Sequence, residues 1–149
     1  MTPEALSRIV TEIAEEMAAE DPMEIALADT IGVGVPAQVT DLFWRLRELL
    51  PDHIGMRAHF HDTRNTGIAN AWAAVQAGVE TLDSSLGGLG GCPFAPNATG
   101  NIATEDLINL LDRSGIGHDL DLHKAIATNQ WFESIIGRPL PSLVARAEA

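Results

Sequence analysis

Apolar positions along the chain alternate between two spacings, and this alternation predicts helices and strands in turn. Three short apolar runs, residues 24–30, 56–62 and 79–86, have the length and content of buried strands. Around them, apolar residues recur every three or four positions, as on one face of a helix. The first predicted helix has Thr2 as its N-cap and Pro3 as its first residue. The apolar faces of the first four predicted helices consist of Leu6, Ile9, Val10, Ile13 and Met17; Val39, Leu42, Phe43, Leu46 and Leu50; Ile68, Trp72 and Val75; and Leu107, Leu110 and Leu111. One or two final helices follow, with Leu122, Ile126, Trp131, Ile135 and Ile136 as buried candidates.

The alternating order predicts an α/β fold with a parallel sheet, because each helix returns the chain to start the next strand in the same direction. Each predicted strand ends in polar residues: Asp29, then His59 and His61, then Asp83. In a TIM (β/α)8 barrel, polar residues at this end of the strands form the active site. A filled, closed barrel needs about eight strands. The three predicted strands cannot close such a barrel by themselves.

The charge balance narrows the classes of partner. The 149 residues include 21 acidic and 9 basic side chains, for a formal net charge of -12. This argues against nucleic acid or an anionic membrane as a partner. No apolar run approaches the roughly 20 residues that cross a bilayer, and the first residues lack the pattern of a secretory signal. A single cysteine permits no internal disulfide, so we expect a cytoplasmic protein.

The segment HFHD, residues 59–62, is the first candidate for chemistry. Side chains two apart on a strand point to the same face, so His59 and His61 are expected to face one way and Phe60 the other. Two imidazoles about 6.5 to 7 Å apart along the backbone can converge on one metal ion. Two core histidines bonded to their neighbours would give the same pattern, so the residues alone leave both interpretations open.

The loop from Gly87 to Asn101 is the second candidate. Its glycines permit backbone conformations closed to other residues, and it carries the single cysteine, Cys92. A thiol in such a loop is expected to be accessible, although an inert small side chain in a turn is the simpler interpretation. Cradling of a phosphate by the glycines is less favoured, because the loop contains no Lys or Arg.

Three segments, IALADTIGVGVP, RAHFHDTRNTGIAN and LDSSLGGLGGCPFAPNATGNIATEDL, together resemble the C-terminal part of the 3-hydroxy-3-methylglutaryl-coenzyme A (HMG-CoA) lyase family. This family belongs to the metal-dependent (β/α)8 lyases and Claisen-type condensing enzymes. The H-x-H strand is shared across that superfamily. The GGCP loop is more specific, and it favours the lyase branch over a related aldolase or acyl synthase. The resemblance covers nearly the whole chain. It implies a single domain over residues 1–149 that is a partial TIM (β/α)8 barrel, made of strands six to eight with their helices and additional C-terminal helices.

The resemblance also implies a ligand set and partners. His59, His61 and Asn101 match the metal ligands, and nitrogen and oxygen donors of this kind suit Mg²⁺ or Mn²⁺. The implied substrate is an acyl-CoA, and the intact enzyme is expected to be a homo-oligomer.

The implied reaction is a retro-Claisen cleavage of a 3-hydroxyacyl-CoA to acetyl-CoA and a keto acid, acetoacetate in the case of HMG-CoA. Cys92 matches the loop cysteine implicated in proton transfer, and His59 and Asp29 match further catalytic positions. Asp83 and Glu105 match acidic positions with supporting roles.

One part of the family pattern has no match here. The first strand of the family carries an arginine and a metal-binding aspartate, and strands one to five are not found in these 149 residues. One half of a split enzyme, whose second chain supplies those strands, a truncated gene product, and a remnant kept for another purpose all fit this pattern, and this chain alone is expected to be inactive. A non-catalytic fragment or interaction module is the alternative. Open strands would also expose Ile25, Leu27 and Leu82, so the isolated chain is expected to associate, aggregate or remain molten.

Overall fold

The computed structural model describes residues 2–91 and 100–148. Thr2 caps the first helix by accepting a hydrogen bond from the Ala5 backbone N–H, as the sequence predicts. No helix in the described ranges is both long and apolar enough to cross a bilayer. In chain order the elements are α1 (Pro3–Ala18), β1 (Glu24–Asp29), α2 (Pro36–Leu49), β2 (Gly55–Phe60), α3 (Gly67–Gln76), β3 (Thr81–Asp83), a 3-10 turn (Leu86–Gly88), α4 (Thr104–Arg113), α5 (Leu122–Ile136) and α6 (Leu143–Ala147).

The three strands form one parallel sheet in the order β1-β2-β3, which confirms the α/β class. The register places Ala28 of β1, His59 of β2 and Asp83 of β3 side by side in one row. Within the described residues, β1 and β3 each pair only with β2, so the outer edge of each strand is open. The sheet is thus arranged as a segment of a larger parallel sheet would be.

The hydrophobic core lies between one face of this sheet and the helices. Alternate residues of β2 are buried, while Arg57 and His59 between them are only half-buried. The same alternation on β1 buries Ile25. One face of the sheet is therefore apolar, and the other is lined by polar side chains. The core includes Ile25, Val39, Phe43, Leu46, Leu50, Ile54, Met56, Ala58, Phe60, Ala71, Ala74, Ile102 and Leu107.

The expectation that Ile25, Leu27 and Leu82 would meet solvent is wrong. Ile25 is fully buried, and Leu27 and Leu82 are partly buried against the core. These side chains turn toward the helices, so the face that three strands leave uncovered is the polar one. The chain consequently has a hydrophobic core of its own despite its open edges.

The third strand is shorter than the predicted run of residues 79–86. After β3 the chain leaves the sheet because Ser85 pairs with a later segment. The Ser85 backbone N–H donates to the Ile102 carbonyl (3.0 Å), and the Ser85 carbonyl accepts from the Thr104 N–H (2.9 Å). Gly87, whose φ is +62°, then completes the 3-10 turn in a conformation that favours glycine.

Two apolar residues of α5 do not lie where the sequence predicts. Trp131 and Ile135 are each 59% exposed, so their assignment to the core is wrong. The buried residues of this helix are Ile126 and Asn129, three positions apart and hence on one face. The Asn129 side chain contacts Glu105 of α4, and this contact fixes which face of α5 turns inward.

Candidate active site

His59 and His61 lie on the same face of the sheet at the carboxyl end of β2. Their ring centroids are 5.2 Å apart, and the ring planes are inclined by 64°. Phe60 between them is buried among the core residues. The two-residue period of a strand thus produces the common orientation that the sequence predicts. His61 is buried, at 5% exposure, whereas the His59 side chain is 29% exposed.

Asn101 lies beside these histidines because residues 100–102 run antiparallel to the end of β2. The Ile102 backbone N–H donates to the Phe60 carbonyl at 3.2 Å, and a bridge forms between His61 and Asn101. Forty residues of sequence separate the two members of this bridge. The fold therefore gathers the three residues that the resemblance implies as metal ligands.

The Asn101 carboxamide is oriented by the loop that precedes it in sequence. Its Nδ2 group donates to the Leu89 carbonyl at 3.0 Å. The backbone closes tightly at this point: a Cβ on Gly100 would lie 1.9 Å from the Gly88 carbonyl oxygen, so only glycine permits the approach. Since the nitrogen end is held by Leu89, the carboxamide oxygen is the atom that can serve as a ligand.

Asp83, predicted as a supporting residue, lies next to His59. Its Oδ2 atom is 3.4 Å from His59 Nδ1. Its Oδ1 atom accepts a hydrogen bond from Arg57 Nη1 at 2.7 Å. Arg57 also donates through Nε to Glu24, so its guanidinium connects all three strands. Hydrogen bonds to Glu24 and then to Asp83 raise the pKa of Arg57 above its ordinary value.

Sequence reasoning assigned no role to Arg57. The sequence does indicate that Arg57 lies near the site, because it precedes His59 by two residues and therefore shares its face of the strand. Its two carboxylate partners, however, come from neighbouring strands and depend on the sheet register.

Asp29 occupies a different position from the histidines. It stands opposite Phe60 in the register, whereas His59 stands opposite Ala28. Its carboxylate accepts hydrogen bonds from the backbone N–H groups of Val33 (3.0 Å) and Gly34 (2.8 Å). These bonds shape the loop between β1 and α2. The catalytic role implied by the resemblance stays a prediction for Asp29.

Glu105 is fully buried at the start of α4. Both of its oxygens accept from the Gly87 backbone N–H, at 3.1 and 2.9 Å, and Oε1 also accepts from Asn129 Nδ2 at 3.1 Å. The carboxylate thereby connects α4 and α5 to the 3-10 turn that follows β3. These bonds hold the turn in place, and the supporting role of Glu105 at the site stays a prediction.

Cys92 lies outside the described residues, so its predicted role in proton transfer stays a prediction. The described part of its loop ends at Gly91 and resumes at Gly100. Both ends lie close to the Asn101 residue described above, since a Cβ on Gly90 would lie 2.7 Å from Asn101 Nδ2. The base of the cysteine loop is thus next to the histidine cluster.

The donor set fits part of a site for a hard divalent cation. Within residues 2–91 and 100–148, no cluster of three or more His, Cys, Asp or Glu side chains is placed to hold a metal ion. The described donors are instead two imidazoles and the Asn101 carboxamide oxygen. Mg²⁺ and Mn²⁺ accept such ligands and prefer about six in octahedral geometry. These residues match half of such a site, and further oxygen ligands are needed to complete it.

The open parallel sheet, with polar side chains gathered at the carboxyl ends of its strands, is the architecture of one sector of an α/β barrel. Residues 3–131 match the model of the HMGL-like family, and the chain belongs to that family.

Curated relatives include both HMG-CoA lyases and a lyase of another acyl-CoA. The chain is 48% identical over 138 residues to the (R)-citramalyl-CoA lyase of Chloroflexus aurantiacus, covering 93% of this chain and 43% of the relative. It is 44% identical over 119 residues to the hydroxymethylglutaryl-CoA lyase of Bacillus subtilis, covering 80% of this chain and 40% of the relative. The chain therefore spans less than half the length of these two relatives.

Solved structures give the same result. An HMG-CoA lyase from Acinetobacter baumannii, in complex with coenzyme A and 3-methylmalate, matches with a TM-score of 0.87 and 39% identity. The match covers 94% of this chain and 46% of that chain. The HMG-CoA lyase of Bacillus subtilis matches with a TM-score of 0.83 and 38% identity, covering 99% of this chain and 48% of that chain.

Proposed function

We propose that this chain supplies strands six to eight, and the histidine part of the metal site, of a (β/α)8 lyase that cleaves a 3-hydroxyacyl-CoA. The observation that supports the proposal is the proximity of His59, His61 and Asn101, with the two rings 5.2 Å apart and Asn101 paired with His61 in a backbone bridge. Membership of the HMGL-like family supports HMG-CoA as the substrate.

The proposed reaction is a retro-Claisen cleavage. A base takes the proton of the 3-hydroxyl group, the carbon–carbon bond breaks as the hydroxyl carbon becomes a ketone, and the electron pair passes to the carbon next to the thioester. An acid then protonates that carbon, giving acetyl-CoA and a keto acid. When bound, Mg²⁺ or Mn²⁺ polarises the substrate's hydroxyl and carboxylate oxygens, which lowers the cost of removing the hydroxyl proton.

The residues of this chain have distinct parts in the proposal. His59, His61 and Asn101 hold the cation, and His59 is the more exposed of the two imidazoles. Cys92, on the loop whose base adjoins Asn101, is the proposed acid. Asp29 keeps the loop after β1 in place through its bonds to backbone amides.

The proposal also requires the remaining strands of the barrel. The polar face of the sheet and the open edges of β1 and β3 are the surfaces that those strands would cover. Helix α1 gives the same indication, because Leu6, Ile9, Ile13 and Met17 form an exposed apolar stripe on it. We propose that strands one to five, supplied by the rest of a longer polypeptide or by a second chain, pack here and bring the missing ligand.

The experiment joins this chain behind the first five βα units of the Bacillus subtilis relative and measures release of acetyl-CoA from HMG-CoA with Mn²⁺ or Mg²⁺. We expect cleavage that a chelator abolishes. We also expect His61→Ala to lower the rate by at least about 100-fold, because it removes a ligand of the charge-stabilising ion. His123→Ala, at an exposed position of α5, is the matched control and should leave the rate unchanged.

A second substrate, citramalyl-CoA, is favoured by the 48% identity to the lyase that is named for it. The same assay with both thioesters decides between them, because the joined barrel should show the larger kcat/KM on its own substrate. A folded, metal-loaded barrel that cleaves neither thioester would contradict the lyase proposal and support the non-catalytic alternative.

A further inference from the structure

The guanidinium of Arg57 forms ion pairs with carboxylates of both neighbouring strands on the polar face of the sheet. It donates through Nε to Glu24 on β1 and through Nη1 to Asp83 on β3 at 2.7 Å. Glu24 in turn accepts from the Thr81 hydroxyl at 2.9 Å. Arg57 therefore sits between two carboxylates, each on a different neighbouring strand.

The contact between Arg57 and Asp83 sets which carboxylate oxygen of Asp83 faces His59. One carboxylate oxygen of Asp83 is taken by Arg57, and the other lies 3.4 Å from His59 Nδ1. That distance exceeds the usual 2.7 to 3.2 Å of a hydrogen bond, so the carboxylate acts mainly through its charge. A negative charge facing Nδ1 favours the tautomer with the proton on Nδ1, and this leaves the Nε2 lone pair free to bind a cation.

Stability alone gives a weak reason for this network. The Arg57 side chain is 37% exposed, and ion pairs at such positions contribute little to folding. Its position is informative, because Arg57 shares the face of the strand with His59 and contacts Asp83, whose carboxylate faces the His59 ring.

We propose that Arg57 is a positioning residue: by holding Asp83 in one orientation, it fixes the tautomer of His59 and so presents Nε2 to the metal ion. The cation part rests on the proposed function, whereas the tautomer part rests on the Arg57–Asp83–His59 geometry. Arg57 touches neither substrate nor metal in this scheme, and it acts through Asp83 alone.

The test uses the full chain without metal, labelled with ¹⁵N, at one mildly alkaline pH for all variants. Long-range ¹H–¹⁵N spectra report which ring nitrogen carries the proton, and loss of one signal in His59→Gln assigns it. We expect the Nδ1–H form for His59 in the unmodified chain and a mixture of both forms in Arg57→Met. Arg57→Lys, which keeps the charge but loses the forked donor, should lie between the two.

Arg47→Met is the matched control. Arg47 is also a half-exposed arginine that bridges elements, since it donates to the Gly78 carbonyl and to Glu80. These Arg47 partners do not include Asp83 or His59, so Arg47→Met should leave the His59 signals unchanged. Circular dichroism on all variants verifies that the fold is retained.

A second readout is the dissociation constant for Mn²⁺ of the joined barrel described above, into which the same substitutions are introduced, followed by the loss of the free-ion electron paramagnetic resonance signal. We expect it to rise at least about 10-fold in Arg57→Met and to stay unchanged in Arg47→Met. Identical His59 spectra in the unmodified chain and in Arg57→Met, or the Nε2–H form in the unmodified chain, would overturn the positioning role. A tautomer change without Mn²⁺ binding by any variant would support that role and contradict the proposed metal site.

Discussion

At the scale of single residues, Glu105 is a buried carboxylate whose hydrogen bonds hold neighbouring elements together. Its buried carboxylate accepts from the Gly87 backbone and from Asn129, and it thereby connects two helices to the turn after β3. The resemblance to known lyases marked this residue as a supporting acid, but the partners could not be read from the sequence. They lie 18 and 24 positions away and meet Glu105 only in the folded chain.

Glu105→Gln should lower the free energy of unfolding by about 1.5 to 3 kcal/mol, because one acceptor oxygen is replaced by an amide NH2 group that faces the donors of Gly87 and Asn129 in a buried site. Urea denaturation followed by circular dichroism measures the change. Glu12→Gln, which removes an exposed ion pair with Arg8, should shift the same quantity by less than about 1 kcal/mol. Equal effects of the two substitutions would contradict the role given to Glu105.

The common face of His59 and His61 was predictable, since it follows from the two-residue period of a strand alone. The position of Asn101 beside the histidines was predictable only through the family resemblance. It depends on residues 100–102 returning beside β2, and no local pattern signals that return. The partners of Arg57 depend on the register of three strands, which periodicity leaves undetermined.

At the scale of elements, the ion pairs on the polar side of the sheet add a small contribution to its stability, and this contribution depends on pH. Hydrogen bonds from Arg57 and then from Thr81 lower the pKa of Glu24 below its ordinary value of 4.5. The unfolded chain therefore binds this proton at higher pH than the folded chain does. The stabilisation is present above about pH 4.5 and is lost as the pH falls through the folded pKa.

Thermal melts between about pH 6 and pH 3 should show a falling midpoint, and Glu24→Gln should make the acid limb shallower. Glu16→Gln, at an exposed position of α1, is the control and should leave the slope as it was. A Glu24→Gln variant with the full acid dependence would show that this carboxylate does not contribute.

Helix α1 carries the second prediction at this scale. Its apolar residues were predictable from their spacing, but their direction was not, because the sequence does not show which face has a partner. Ile13 is 51% exposed, as part of the stripe with Leu6, Ile9 and Met17. Exposed apolar patches of this kind promote association.

We expect the isolated chain to self-associate and Ile13→Glu to return its mass toward the monomer value of 15.9 kDa in size-exclusion chromatography with light scattering. Met23→Glu introduces the same charge at an apolar residue that is 89% exposed and lies outside the stripe, and it should change the mass little. If the unmodified chain were a monodisperse monomer, the claim that this stripe causes self-association would be contradicted.

At the scale of the whole molecule, the order of helices and strands was predictable from periodicity, whereas strands six to eight of a barrel were predicted only through the family resemblance. The end of β3 was not, because it depends on the pairing of Ser85 with residues 102–104. The exposure of Trp131 and Ile135 was not predictable either, because it depends on which face of α5 meets Glu105. The prediction of open strand edges was right, while the prediction that they expose apolar side chains was wrong.

The most direct measurement compares HMG-CoA cleavage by the 149-residue chain alone with cleavage by the same chain joined to the first five βα units of its Bacillus subtilis relative. Both are assayed at equal concentration with Mn²⁺. We predict no release of acetyl-CoA above the blank for the chain alone and clear release for the joined barrel, because only the latter contains the complete ligand set. Turnover by the chain alone near the typical enzyme value of about 10 s⁻¹ would contradict the account, as would a folded but inactive joined barrel.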